Sequence, residues 1–155
     1  MLDLYDEFGR LVTALNDRGI EYALCGGMAL AVHRLPRMTI DIDVLIRQSE
    51  LEAALGVADE LGYSIRGKDL SFAAGAVEIR RVSKIDRASG DSLSLDLLLV
   101  TSQLRSVWES RVKAEWEGGT LSVVSAEGLI QMKQLRSSGQ DLDDIKALKE
   151  VIDYE

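Results

Sequence analysis

One cysteine, one proline and one histidine occur in 155 residues. Cys25 alone excludes an intramolecular disulfide framework and a cysteine-rich zinc site. His33 alone cannot build a histidine metal centre. No uninterrupted apolar stretch approaches the roughly 20 residues that cross a bilayer, so no membrane span is expected. The opening MLDLYDEFGR is acidic and amphipathic, without a basic segment ahead of an apolar one, and predicts no signal peptide. A cytoplasmic location is the expectation. Positive charge is also scarce: 18 Lys and Arg stand against 26 Asp and Glu, a net charge of −8. That balance excludes a protein that coats nucleic acid by bulk electrostatics, since phosphate neutralisation needs clustered cations. An acidic protein that handles phosphates is expected to place a metal ion between its carboxylates and the substrate. The length fits one domain, residues 1–155, with a core over about 20–100 and a helical C-terminal part over about 126–152.

What is present is an alternation of helical and extended patterns. Leu2 to Arg18 carries an apolar stripe (Tyr5, Phe8, Leu11, Val12, Leu15) and predicts a helix ending at Gly19. Tyr22 to Cys25 predicts a short buried strand, Met28 to Arg34 a short helix closed by Pro36, and Thr39 to Ile46 a strand. Ser49 is placed to cap a helix over Glu50 to Leu61, stopped at Gly62. Period two then sets in, with a strand at Leu70 to Ala73 and another around Val77 to Val82. Arg80, Arg81 and Lys84 read as an exposed face of that second strand. After the turn Asp86 to Asp91, Leu93 to Val100 is the most apolar strand of the chain. Ser102 to Ala114 predicts a helix, Thr120 to Val124 a strand, and Ala126 to Ser137 and Asp141 to Ile152 two closing helices. The fold class expected is α/β (α+β), a mixed sheet flanked by helices.

Two acids sit where a buried strand should not want them. In a strand, side chains two apart share a face, so Asp41 and Asp43 point together while Ile40, Ile42 and Val44 point into the core. Like charges at that range raise each other's pKa and cost stability unless a cation compensates. Asp96, within LSLDLLLV, is a third acid in an even more apolar strand; if the two strands are neighbours, the three acids converge. Hard oxygen ligands of this kind suit Mg²⁺ or Mn²⁺, metals that take substrate phosphates as remaining ligands. Gly26-Gly27 lies between a strand and a helix, where backbone N–H groups can receive an anion and no Cβ blocks its approach. Strand, phosphate turn, helix and metal strand together point to metal-dependent phosphoryl transfer from a nucleoside triphosphate. Arg34 and Arg37, between turn and metal strand, are candidates to clamp a triphosphate.

Gly26-Gly27, thirteen intervening residues, Asp41-Ile42-Asp43 and a later strand acid, Asp96, resemble the nucleotidyltransferase fold of the DNA polymerase beta type. The stretch GGMALAVHRLPRMTIDIDVLI is similar to its small bacterial branch, which includes AbiE-type toxins and nucleotidyltransferase-like proteins. The likeness covers roughly residues 20 to 100. It implies that Asp41 and Asp43 bind both metals, and that Asp96 holds the catalytic metal or acts as base to the acceptor hydroxyl. It implies β- and γ-phosphate contacts for Gly26 and Gly27. Arg37 and Thr39 match residues that often precede the first acid, and Lys133 matches a helical lysine that reaches the nucleotide. The family usually has Ser after the first Gly; here Gly27 and then Met28 follow, which removes a hydroxyl contact and leaves the backbone ones. The implied activity is transfer of a nucleoside monophosphate to an acceptor hydroxyl on RNA, protein or a small molecule, in the setting of a toxin with an antitoxin partner. The alternative is a catalytically inactive nucleotide-binding or protein-interaction module on the same fold.

Overall fold

A computed structural model describes residues 2–33, 41–136 and 139–154. The chain opens with α1 (Leu4–Asp17), whose N-cap Asp3 accepts hydrogen bonds from the N–H groups of Tyr5 and Asp6. Phe8, Leu11, Val12 and Leu15 form its buried stripe. Gly19, at φ +66, follows the C-cap and takes the left-handed conformation that lets the chain turn back. Then come β1 (Ala23–Cys25), α2 (Gly26–Val32), β2 (Asp41–Ile46), α3 (Leu51–Glu60), β3 (Ile65–Arg66), β4 (Leu70–Phe72), β5 (Val77–Ile85) and β6 (Ser92–Leu99). The second half continues with α4 (Arg105–Glu109), β7 (Val112–Trp116), β8 (Gly119–Val123), α5 (Ala126–Arg136) and α6 (Gly139–Tyr154). No helix of the described residues is long and apolar enough to cross a membrane.

The strands of the described residues join one mixed sheet in the order β3-β5-β6-β2-β1-β8-β7, with β4 paired to β5. Two pairings are parallel, β2 with β6 and β1 with β8; the others are antiparallel. The central strands are buried on both faces, as their near-continuous apolar sequence requires: Ile42, Val44, Leu45, Ile46, Leu95, Leu97 and Leu98 all lie in the core. The expected mixed sheet flanked by helices is therefore present, and β2 and β6 are neighbours.

Several boundaries differ from the sequence expectation. The helix expected over Ser102 to Ala114 stops at Glu109, and Val112–Trp116 is a strand. It pairs with β8 from Val112↔Val123 to Trp116↔Gly119, leaving Glu117-Gly118 as a two-residue hairpin loop. The Trp116 indole fixes this hairpin. It meets the Phe8 ring edge-on, centroids 5.3 Å apart, and a Cβ at Gly118 would stand 2.5 Å from it. Ser49 does not cap α3: it lies inside a 3₁₀ turn, Gln48–Glu50, and Glu50 precedes the helix without a side-chain cap. The short helix begins at Gly26 itself, ahead of Met28. Arg34, Arg37, Thr39 and Ile40 lie outside the described residues.

Candidate active site

Residues paired directly across adjacent strands project to the same face. Cys25 on β1 pairs with Asp43 on β2, Asp43 with Asp96 on β6, and Asp96 with Arg81 on β5. Four chemically active side chains thus form one row across four strands, with neighbouring strands about 4.8 Å apart. One step along the strands, Asp41 pairs with Ser94 and Ser94 with Ser83, a second and shorter row on the same face. The Ser83 and Ser94 hydroxyls are 3.2 Å apart. The topology therefore brings Asp41, Asp43 and Asp96 to one face, the last two side by side.

Asp96 is the most buried of the three acids, 4% exposed, and a guanidinium compensates it. Arg81 Nε–H donates to Oδ1 at 2.7 Å and Nη2 donates to Oδ2 at 2.9 Å, a bidentate fork. Asp96 holds the Arg81 pKa above its ordinary value, with Asp41 and Asp43 adding to the effect. Asp41, half-buried, has its pKa raised by burial and then by Asp96, against the opposing pull of Arg81. Burial pushes the Cys25 thiol well up, helped by Asp43 and Asp96 and opposed by Lys133. Cys25 is fully buried and stays a neutral thiol. Lys133, on α5, is 7% exposed and its charge reaches the end of the row at Cys25. A buried lysine on a helix, within electrostatic reach of a strand residue more than a hundred positions away, is a placement no single segment reveals.

Gly26 has a second reason to be glycine. Its φ is +67, and a Cβ there would stand 2.1 Å from Asp43 Oδ2. The missing side chain at 26 is what lets the Asp43 carboxylate lie flat against the start of α2. Gly27 is buried in the first turn of that helix. His33 closes α2 half-buried, its Nε2 2.9 Å from the Val124 carbonyl, so it ties α2 to the end of β8. The broad groove between α1, α2 and the β7–β8 hairpin, lined by Phe8, Met28, Trp116 and Leu121 among others, includes none of Asp41, Asp43 and Asp96.

Arg81 and Cys25 are the members of the row that sequence reasoning missed. Arg81 was expected on an exposed face with Arg80 and Lys84. In fact Arg80 turns to Asp69 and Glu78, and Lys84 turns to Glu7. Only the alternation of β5 hinted at this, since residues 81 and 84 must face opposite ways. Among the described residues, no group of three or more His, Cys, Asp or Glu is placed to hold a metal ion; both oxygens of Asp96 are engaged by Arg81. The donor set is nevertheless the right one for a hard divalent cation. Three carboxylates share one face with the Arg81 guanidinium, and burial first, then Asp96, raises the Asp41 pKa.

Known proteins share this arrangement of elements. Protein TM1012 from Thermotoga maritima superposes with a TM-score of 0.65 at 12% identity, over 97% of this chain and 93% of that one. The antibiotic-resistance factor ANT(2'')-Ia gives 0.67 at 12% identity, over 97% and 86%. The lincosamide antibiotic adenylyltransferase LnuA gives 0.58 at 17% identity, over 94% and 96%. At such identities the likeness is one of fold. No curated protein sequence matches the chain. The profile of the family described as "Nucleotidyl transferase AbiEii toxin, Type IV TA system" matches residues 10–133, a span that holds the glycine pair, the three acids and Lys133. By that match, the chain belongs to the AbiEii nucleotidyl transferase toxin family and is a nucleotidyltransferase.

Proposed function

We propose that this nucleotidyltransferase moves a nucleoside monophosphate from a nucleoside triphosphate to an acceptor hydroxyl, using Mg²⁺ or Mn²⁺ held by Asp41, Asp43 and Asp96. The observation that carries the reading is the pairing of Asp43 with Asp96 beside Gly26, on one sheet face with Asp41. A divalent ion bound there would supply charge neutralisation at the triphosphate and a lowered pKa for the acceptor hydroxyl. The protein's own groups orient and polarise. The backbone N–H groups at Gly26 and Gly27 face the phosphates, with Lys133 as a buried cation beside them. Arg37 and Thr39 complete the nucleotide side in this reading. The acceptor oxygen bonds to the α-phosphorus as the bond to the β-bridging oxygen breaks. Pyrophosphate leaves, and the hydroxyl proton passes to a carboxylate of the row, Asp96 in this reading.

The acceptor class is open to RNA, protein or a small molecule. LnuA was solved with lincomycin bound and ANT(2'')-Ia with adenylyl-2''-tobramycin, which supports small hydroxyl-bearing acceptors on this fold. The family's toxin–antitoxin setting supports a cytoplasmic toxin with an antitoxin partner. One observation favours a second reading: both Asp96 oxygens are already bound by Arg81, as they would be in a nucleotide-binding or protein-interaction module that no longer turns over. Labelled nucleoside triphosphates, Mg²⁺ and cell extract decide between them. Native protein should label an acceptor, and Asp41→Ala with Asp43→Ala should lower the rate by about 10³-fold or more. Transfer that survives the double substitution overturns the catalytic assignment. Tight calorimetric binding of nucleotide without transfer establishes the module.

A further inference from the structure

Arg81 is a charged side chain of the site face that neither the motif set nor the proposed reaction uses. Three features of its setting bear on the metal. Its guanidinium covers both oxygens of the acid that the proposed site needs. It is placed within electrostatic reach of Asp41 and Asp43 as well. And it is free to travel: the side chain is 39% exposed, while Asp96 beneath it is 5% exposed. On its other flank stands Gly67, whose N–H donates to the Arg81 carbonyl at 2.9 Å. A Cβ on Gly67 would lie 3.4 Å from Arg81 Cβ and Cγ, so the glycine leaves the stem uncrowded.

A carboxylate has lone pairs enough for an arginine fork and one further ligand, so geometry alone does not forbid both. Charge argues against it. A guanidinium and a divalent cation on one carboxylate stand a few ångströms apart and repel, and even in a water-like dielectric that repulsion corresponds to about tenfold in affinity. Arg81 is the partner that can leave, because its outer end already meets solvent and its three-carbon stem can swing while Asp96 is fixed in the core of β6.

We propose that Arg81 is a positioning residue that acts as an internal stand-in for the metal: its fork holds Asp96 aimed along the sheet face in the metal-free protein, and a divalent cation binds the acids in competition with it. The inference rests on the reading of Asp41, Asp43 and Asp96 as the metal site. Once displaced, the guanidinium remains over the same face, where an anionic phosphate is the group it would meet.

The test is Mn²⁺ binding to nucleotide-free protein, followed by calorimetry or by the loss of the free-ion spin-resonance signal. Arg81→Met should bind Mn²⁺ about tenfold more tightly than native protein, whereas a merely structural arginine would leave affinity unchanged or weaken it. Arg81→Lys, which keeps the charge without the fork, should fall between the two. Gly67→Val, which crowds the stem from outside, keeps the arginine and guards against a misfolded Arg81→Met; it too should tighten Mn²⁺. Native protein that binds Mn²⁺ no better than Asp43→Ala ends the metal reading and this inference with it. Native protein that binds at the acids, with Arg81→Met equal or weaker, overturns the inference alone and leaves the metal reading standing.

Discussion

Strand β5 sends Arg81 to one face of the sheet and Lys84 to the other, and the two meet acids in opposite ways. Lys84, three residues from Arg81, faces the α1 side. There its ammonium donates to both oxygens of Glu7, at 2.9 and 3.2 Å, and to the Leu61 carbonyl at 3.0 Å. The Tyr63 hydroxyl donates to Glu7 Oε2 at 3.0 Å, and burial and Glu7 raise its pKa. One acid, one base and one hydroxyl close on each other, tying α1 to β5 and to the end of α3. On the opposite face Arg81 forks on Asp96, with Asp41 and Asp43 on the same face. A buried cluster with balanced charge is a fastening; several acids gathered on one sheet face are the pattern of a candidate site. The same strand builds both because its alternation separates them.

The contrast can be broken or sharpened experimentally, beginning with the largest effect. Asp96→Asn keeps the side chain's shape and an acceptor for Arg81 but removes the charge. Transfer should fall about 10³-fold, while denaturant unfolding should move by less than about 1 kcal/mol, because the partner guanidinium is part-exposed and can be solvated. Glu7→Ala should do the reverse. It strands Lys84 and the Tyr63 hydroxyl under α1 and should cost about 3 kcal/mol, read as a lower urea midpoint at unchanged slope. Transfer per folded molecule should be unaltered. The smallest effect is expected from Glu7→Leu with Lys84→Met and Tyr63→Phe, which removes the whole cluster at similar volume. Stability should stay within about 1 kcal/mol of native, since a buried pair replaced by apolar groups is often neutral. Equal stability losses from Asp96→Asn and Glu7→Ala would erase the distinction between fastening and site.

Much of this site was legible in local pattern. The alternation through Asp41-Ile42-Asp43-Val44 placed both acids on one face, and the apolar run around Asp96 marked a central strand. Those are consequences of a period of two, which any single strand displays. Pairing is not local. Nothing between Val77 and Ile85 says that β5 lies next to β6 in a register that sets Arg81 opposite Asp96, so Arg81 was grouped with its chain neighbours Arg80 and Lys84. Lys133 was reached through resemblance, and its burial depends on how α5 docks. The strand Val112–Trp116 overlaps the helix expected over Ser102 to Ala114, since Trp108 and Val112 keep a helical spacing; the edge-on contact of Trp116 with Phe8 and the hairpin pairing with β8 decide otherwise. Gly26 was read as an opening for phosphate, and its contact with Asp43 came into view only with both strands in place.

The position of β1 between β2 and β8 carries a consequence for how the chain matures on the ribosome. Once residues through Leu99 have emerged, β1, β2, β5 and β6 are all available and the three acids can already stand on one face. Yet β1, which ends at Cys25 beside the glycine pair, then has one bare margin, because its parallel neighbour Gly119–Val123 is still to be synthesised. An unpaired strand edge is a template for any other extended chain. Until Gly119–Val123 follows, roughly twenty residues after Leu99, that margin has no partner strand, and the β7–β8 hairpin is what seals it.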